Sequence, residues 1–240
     1  MDLKELDILG ESIGEHWYYR SKLAALLRLM RGLAPRKALD IGAGSGFFAR
    51  ALLERTSLAE AVCVDPFYTA DRDEVAGGKP LLFRRAAPSQ GAELVLLMDV
   101  LEHVEDDVAL LAEQVRAAPA GANFIISVPA FGWLWSGHDV FLGHHRRYTL
   151  RGLTNVAQRA GLVRVRGAYF FGLVLPLAAV TRLPDLVRRA LGRALPAESQ
   201  MKRQTSIVNA ALSAICAAEL PIFPANRIGG LTVFLHARKP

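Results

Sequence analysis

The sequence predicts an α/β protein built on a doubly wound, seven-stranded, mostly parallel sheet, with a helical insert before the last strand. Three observations carry this. Short apolar or β-branched runs alternate with longer stretches of helical period, the order expected of parallel strands joined by crossover helices. Two runs, "LVLLM" and "FIIS", are apolar at nearly every position, as strands covered on both faces are. About sixty residues separate the last two strand-like runs, too many for a hairpin.

Taken in chain order, residues 1–35 form a helical cover around "EHWYYRSKLAALLRLM", and the α/β domain occupies 36–169 and 231–240. Its strands are "KALDI" (37–41), "AVCVD" (61–65), "LLFRRA" (81–86), "ELVLLMDV" (93–100), "NFIISVP" (123–129), "VRVRGAYF" and, last, "LTVFLHARK". Between them "SGFFARALLERT" and "DVALLAEQVRAA" space apolar residues three and four apart, one stripe per helix against the sheet. In "TLRGLTNVAQRAGL", Thr149 is the N-cap signal and Gly161 the stop. The insert, 170–230, opens with "FFGLVLPLAAV", which Pro176 interrupts and which is shorter than the roughly 20 residues of a membrane span. Two helices follow, "LPDLVRRALGRALP", basic and amphipathic, and "QTSIVNAALSAICAAEL".

Composition narrows the class. At 52% apolar the chain can fill a sizeable core, and the polar, acidic opening residues lack a secretory leader pattern, so a cytoplasmic protein is expected. Cys63 and Cys216 have no metal-ligand spacing and read as buried thiols. The net charge of +6 is C-terminal in origin: residues 161–240 hold 11 Lys+Arg against 3 Asp+Glu.

The chemistry begins in "ALDIGAGSGFFARAL". Gly42, Gly44 and Gly46 let a strand-to-helix turn approach a ligand closely, and Asp40 stands two residues before the first of them. A carboxylate there suits a cationic group better than a pyrophosphate, which prefers a bare helix N-terminus. Asp65, at the end of the second strand, is placed to accept from both ribose hydroxyls. Two acids around a glycine turn describe a site for an adenosine with a cationic amino-acid tail.

With "LLMDVLEHVEDD" at 97–108, these motifs resemble the class I S-adenosylmethionine-dependent methyltransferases over roughly residues 11–165. The resemblance implies a seven-stranded sheet with a reversed last strand and S-adenosylmethionine (SAM) across the ends of the first two strands. By motif match Asp40, Gly42, Gly44 and Gly46 meet the methionine part, Asp65 the ribose, and Asp99 and Val100 line the cofactor side of the fourth strand. Relatives often place an acid after the third strand for adenine; "FRRAAPSQG" has none, leaving a backbone carbonyl or Gln90. The aromatic-rich N-terminal helix matches a motif of the same branch, with Trp17 and Tyr18 or Tyr19 covering the cofactor and Arg20 meeting its carboxylate; the alternative is a helix packing its aromatics on the sheet edge. His103 is expected to be structural and to point away from the acceptor, and the acids of 105–107 to be solvated first-turn residues.

The stretch "SGHDVFLGHHRRYTL" (136–150) leaves the fifth strand on the ligand-binding edge of such a sheet and belongs to the acceptor side, where the family branch carries a similar run. Its histidines lack zinc-like spacing within the segment, so no metal is expected, and one arginine pair is thin support for nucleic acid. SAM's methyl is already activated, so the protein must align the acceptor and remove a proton, for which a histidine is the natural base. His138 or His144 is the expected base, with Tyr148 and Arg146 orienting the acceptor; alternatively these residues anchor the loop through Asp139. The insert, with Arg182, Arg188, Arg189, Arg193, Lys202 and Arg203 beside its apolar run, is expected to be a lid, an anionic-membrane contact or a homodimer lobe. The expected function is methyl transfer to a small or lipid-like acceptor. The alternatives are a SAM user that does not methylate, such as one cyclising SAM's aminobutyryl chain, and a non-catalytic SAM-binding scaffold.

Overall fold

The computed structural model describes residues 10–199 and 204–240. Lys202 and Arg203 lie outside the described residues. A short 3-10 segment leads into α1 (Trp17–Leu29); then come β1 (Lys37–Ile41), α2 (Phe47–Arg55), β2 (Glu60–Val64), β3 (Arg72–Ala76), β4 (Lys79–Arg84), β5 (Leu94–Met98), α3 (Asp107–Ala117), β6 (Asn123–Pro129), α4 (Gly137–Leu142), α5 (Leu150–Arg159), β7 (Val163–Phe170), α6 (Leu175–Thr181), α7 (Leu183–Ala190), α8 (Ser206–Glu219) and β8 (Thr232–Arg238). The sheet order is β3-β4-β2-β1-β5-β6-β8-β7. All seven expected strands form, β8 runs antiparallel to both neighbours, and the order reverses between β1 and β5. Ligands bind outside the carboxyl ends of strands at such a switch point.

The sheet has eight strands because "RDEVA" pairs antiparallel with β4, Ala76 facing Lys79. Gly77 and Gly78 form the two-residue loop, both at positive φ, the conformation a tight hairpin needs. Its charges masked this strand from apolar patterning. They serve the sheet edge, where Arg50 pairs with Glu74 and Arg84 with Asp73, and a charged edge resists pairing with another chain.

Period-two alternation feeds two cores. Leu94, Leu96 and Met98 of β5 face the layer of α1 and α2, with Leu26, Phe48 and Leu52; Val95 and Leu97 face that of α3 and α5, with Leu111 and Leu153. Local signals set the helix ends as expected: Thr149 accepts from the Gly152 N–H at 3.0 Å, and Gly161 at φ +93° ends α5. Both cysteines are free and buried. Among the described residues, three helices, one more than expected, lie between β7 and β8. Glu219, buried at the end of α8, pins its start by accepting from the Gly172 (2.8 Å) and Leu173 (3.2 Å) N–H groups. No helix among the described residues is long and apolar enough to cross a membrane.

The antiparallel half of the sheet carries a pH dependence. His236 in β8 lies with Nε2 2.9 Å from Asn123 Oδ1, and burial, then the charge of Arg166, pushes the imidazole below its usual 6.5. A depressed histidine stabilises the fold fully above its unfolded pKa, and that stability drains away as pH falls from there through the folded value. The unfolding free energy of wild type should therefore decline as pH falls below the usual histidine range, and His236→Gln should flatten that slope in a urea titration; an unchanged slope counts against this role.

Candidate active site

The glycine turn sits at the switch point as the spacing requires. Gly42, Gly44 and Gly46 have φ of +62°, +53° and +75°, a region side chains seldom enter. At Gly42 a Cβ would stand 2.8 Å from Val100 Cγ2, and at Gly46 2.8 Å from the Phe83 ring, so both turns are packed shut against larger residues. Asp40 and Asp65 flank the turn and are buried. Asp65 Oδ2 accepts from the Gly44 N–H at 3.1 Å and Oδ1 from the Phe67 N–H at 3.0 Å; each oxygen keeps a second lone pair for a hydroxyl. Tyr68 braces the turn from beneath, donating to the Gly44 carbonyl at 2.7 Å. Its phenol is pushed up by burial, so it remains a donor.

Among the described residues, three other than glycine adopt positive φ: Asp99, Phe131 and Phe171, each just past the carboxyl end of β5, β6 or β7. Such strain persists where the surroundings over-determine it, often at functional sites. Asp99 is buried, accepts from Ser127 Oγ at 3.1 Å and forms an ion pair with fully buried Lys22 of α1; the Lys22 ammonium also donates to Tyr18 Oη at 3.1 Å. Burial opposes the Lys22 charge, but Asp99 and Tyr18 outweigh it and raise its pKa. Tyr18 stacks on Phe171 with ring centroids 5.2 Å apart, and Trp17 meets the same ring edge-on at 5.7 Å. α1 thus caps the site with Trp17 and Tyr18, whereas Tyr19 is buried against Phe47 and Phe48.

Arg20 is a correction to the sequence expectation. It points to solvent, and the cation that α1 delivers to the site is Lys22.

Beyond Asp99 a cavity of about 570 Å³ opens between α1, α4 and the insert. Trp17, Asp99, Glu102, His138, His144 and Arg147 line it on the sheet side, and Val174, Leu177, Ala178, Arg182 and Leu212 on the insert side. Asp40, Gly42, Gly44, Gly46, Asp65 and Val100 lie outside this lining. The cavity is therefore distinct from the glycine turn, with Asp99 on its rim toward it. Burial, then the Arg147 charge, lowers Arg182 to about 10, which leaves it cationic at neutral pH.

The histidine segment is organised by Asp139. Part of it is helical, α4, where Ser136 and Asp139 form a capping box with the Ser136 N–H 2.8 Å from Asp139 Oδ2. The fully buried Asp139 carboxylate also accepts from Arg147 Nε (2.7 Å) and Nη2 (2.9 Å), and its Oδ1 lies 2.8 Å from His144 Nδ1. Burial pushes Asp139 up, yet His144, Arg147 and the Ser136 amide hold it below the usual carboxylate range. The loop-anchoring geometry weighed from sequence is thus present. It also orients His144, whose side chain is nearly buried, toward the cavity.

Tyr148 is the second correction. It is buried in the α3/α5 core, where its hydroxyl donates to Asp107 Oδ2 at 2.7 Å and lies 3.1 Å from the Leu101 carbonyl, away from the cavity. Arg146 likewise pairs with Asp107, at 3.3 Å. Asp107 is buried rather than solvated, while Asp106 is an exposed N-cap accepting from the Ala109 N–H. Gln90 is exposed; the buried polar residue of that segment is Ser89, which donates to Gln114.

His103 is absent from the cavity lining and packs beside His144. It meets His144 edge-on with centroids 4.7 Å apart, and ligand-type atoms of Glu102, His103 and His144 all lie within 4.8 Å of one another. Glu102 is fully buried, and neither carboxylate oxygen has a hydrogen-bond partner among the described residues; burial, then Asp99, pushes its pKa up.

A family model described as "Methyltransferase domain" matches residues 15–166, more than half of the chain. The chain belongs to the methyltransferase domain family. S-adenosylmethionine is its cofactor. A search of curated protein sequences returns no match. Among solved structures, a SAM-dependent methyltransferase from Mesorhizobium loti superposes with a TM-score of 0.52 at 16% identity, over 91% of this chain and all of the other. Phosphoethanolamine N-methyltransferase 2 of Haemonchus contortus in complex with SAM gives 0.51 at 16% identity, over 90% of this chain and 52% of that one. The [4+2]-cyclase SpnF gives 0.54 at 15% identity, over 93% and 82%. At such identities the likeness is one of fold.

The residues present in this methyltransferase domain fit the cofactor: side-chain-free glycines form a turn packed on Val100 and Phe83, with one buried carboxylate on either side. Lys22 and Tyr68 were missed in the sequence. Tyr68 leaves no motif there, whereas Lys22 falls on the buried stripe of α1.

Proposed function

We propose that the protein transfers the methyl group of SAM to a small or lipid-like acceptor seated in the cavity beyond Asp99. The observation that carries this reading is the cavity's two-sided wall. Its insert side sets the apolar Val174, Leu177 and Leu212 among the polar Thr181, Arg182, Asp185 and Glu198, and its other side presents His138, His144, Arg147 and Asp99. An acceptor with an apolar body and an ionisable or anionic end matches both sides, and about 300–1,000 Å³ is the usual range for such sites. In this reading Asp40 and the three glycines hold the methionine part, Asp65 the ribose, and Trp17, Asp99 and Val100 close over the cofactor. SAM supplies a methyl on a positively charged sulfur, so the chain's own task is alignment and proton removal. His138 and His144 are the bases within reach of the cavity, and Arg182 is the cation placed to orient an anionic end. Incubation with methyl-labelled SAM and fractionated small molecules and lipids should yield a labelled acceptor and S-adenosylhomocysteine. Product formation from SAM alone, or tight SAM binding with no turnover over the whole panel, would replace this reading by the cyclising or scaffold alternatives; the SpnF likeness keeps a non-methylating chemistry in view.

The insert, residues 170–230, acts as the lid in this proposal. Asp185 of α7 accepts from the Gly137 N–H at 2.9 Å, and Arg182 donates to the Leu134 carbonyl at 3.3 Å, tying it to the histidine segment. Along α6, α7 and the residue after it, Val180, Leu183, Val187 and Leu191 are exposed, as are Arg188 and Arg189. Apolar side chains among cations suit an anionic membrane interface, from which a lipid-like acceptor would enter. Liposome flotation should show binding that requires anionic lipid and is lost in Arg188→Glu/Arg189→Glu. Absence of binding together with a dimer in solution would assign this face to self-association.

A further inference from the structure

We propose that Glu102, His103 and His144 form a site for one divalent transition-metal ion, whose remaining coordination positions take an oxygen of the acceptor. The inference rests on the acceptor cavity proposed above. It begins from two segments that no single motif joins: the turn after β5, which carries Glu102 and His103, and the residue following α4, His144. Their ligand-type atoms converge to within 4.8 Å of one another, and Glu102 and His144 both line the cavity. Ions of this class bind nitrogen and oxygen at about 2.0–2.2 Å, so the three groups would draw in by only about 1 Å.

Two further observations point to a cation. Lys22 pairs with Asp99 and Arg147 with Asp139, while the Glu102 carboxyl is fully buried, lines the cavity and has no hydrogen-bond partner among the described residues. A buried carboxyl without a partner either keeps its proton or is matched by a cation, and a metal ion that displaces the proton satisfies both oxygens. His144 is moreover held as metal-bound imidazoles are, with Nδ1 on a buried carboxylate that is itself fixed by Arg147 and Ser136, which leaves Nε2 as the atom offered to an ion. Two histidines and one carboxylate with open positions is a recurring donor set for zinc, iron and manganese.

Bound there, the ion would polarise an acceptor hydroxyl and ease loss of its proton. With His144 taken by the ion, His138 receives that proton. The acceptor oxygen then bonds the methyl carbon as the carbon–sulfur bond breaks, and its electron pair leaves on the sulfur of S-adenosylhomocysteine.

The test is calorimetric titration of the metal-stripped full-length protein with Zn²⁺ and Mn²⁺, with Co²⁺ absorption reporting the ligand field. One ion per chain is expected. Glu102→Gln and His144→Gln should each weaken binding at least tenfold, Asp139→Asn by about ten- to a hundredfold, and His145→Gln, an exposed neighbour, not at all; circular dichroism and a thermal melt confirm that each variant is folded. No saturable binding by wild type, or equal affinity in Glu102→Gln, overturns the site. The readout needs neither SAM nor an acceptor. A protein that methylates fully without any ion would refute the metal's role and leave the methyltransferase reading standing, while one that binds the ion but never methylates would do the reverse.

Discussion

Lys22→Met should destabilise the protein by about 3–5 kcal/mol, the cost of leaving one member of a buried ion pair without its partner. Methionine fills the lysine stem's volume, so the loss reports the charge and not a cavity. Asp99 would then sit at positive φ, buried, with Ser127 and Tyr18 as its remaining hydrogen-bond donors and the unmatched Glu102 in its field. Adding Asp99→Asn should recover most of the stability, because the isostere keeps the hydrogen bonds and removes the stranded charge. Urea unfolding of the two single variants and the double gives the coupling directly. Additive losses would mean that Lys22 contributes by packing alone.

That lysine was legible in principle. In "WYYRSKLAALLRL" the buried positions of α1 include Tyr19, Lys22, Leu23, Leu26 and Leu29, an apolar stripe of helical spacing with one ammonium on it. A cation on such a stripe demands a buried counter-charge, whereas Arg20 is off the stripe and free to face water. The aromatic motif drew attention to Arg20 by adjacency, when helical phase selects Lys22. The same distinction runs through the fold. Strands covered on both faces announced themselves by continuous apolarity, and α5 by its Thr149 cap, because burial and capping are local demands on sequence. β3 is an edge strand whose side chains meet solvent and charge, so its one local signal was the Gly77–Gly78 turn.

The acceptor side was legible by position and not by role. That 136–150 leaves the carboxyl end of β6 follows from topology, and the Asp139 anchor could be weighed because both partners lie within the segment. Tyr148 and Arg146 look identical in sequence to acceptor-orienting residues, yet both turn back onto Asp107, an acid whose burial no first-turn pattern distinguishes from solvation. Convergence of Glu102 and His103 with His144 depends on how two loops cross at the sheet edge, and spacing within either loop carries no trace of it.

His138→Ala should lower kcat by about a hundred- to ten-thousandfold, the usual contribution of a positioned general base, with SAM affinity unchanged. His138 lies in α4 and lines the acceptor cavity, apart from the glycine turn that is proposed to hold the cofactor. The variant removes a side chain from a cavity wall, so a purely structural role would raise KM or lower the melting temperature without a selective loss of kcat. Added imidazole distinguishes the two further: it should restore turnover in the alanine variant if the missing function is a base, since the truncated wall leaves room for it. Tyr148→Phe provides the contrast. It deletes a hydrogen bond to Asp107 inside the α3/α5 core, so it should cost about 1 kcal/mol or somewhat more in stability and leave kcat within a few-fold of wild type. If instead Tyr148→Phe abolished turnover while His138→Ala did not, the acceptor would have to be bound on the Asp107 side of the loop and not in the cavity, and the base would have to be sought there.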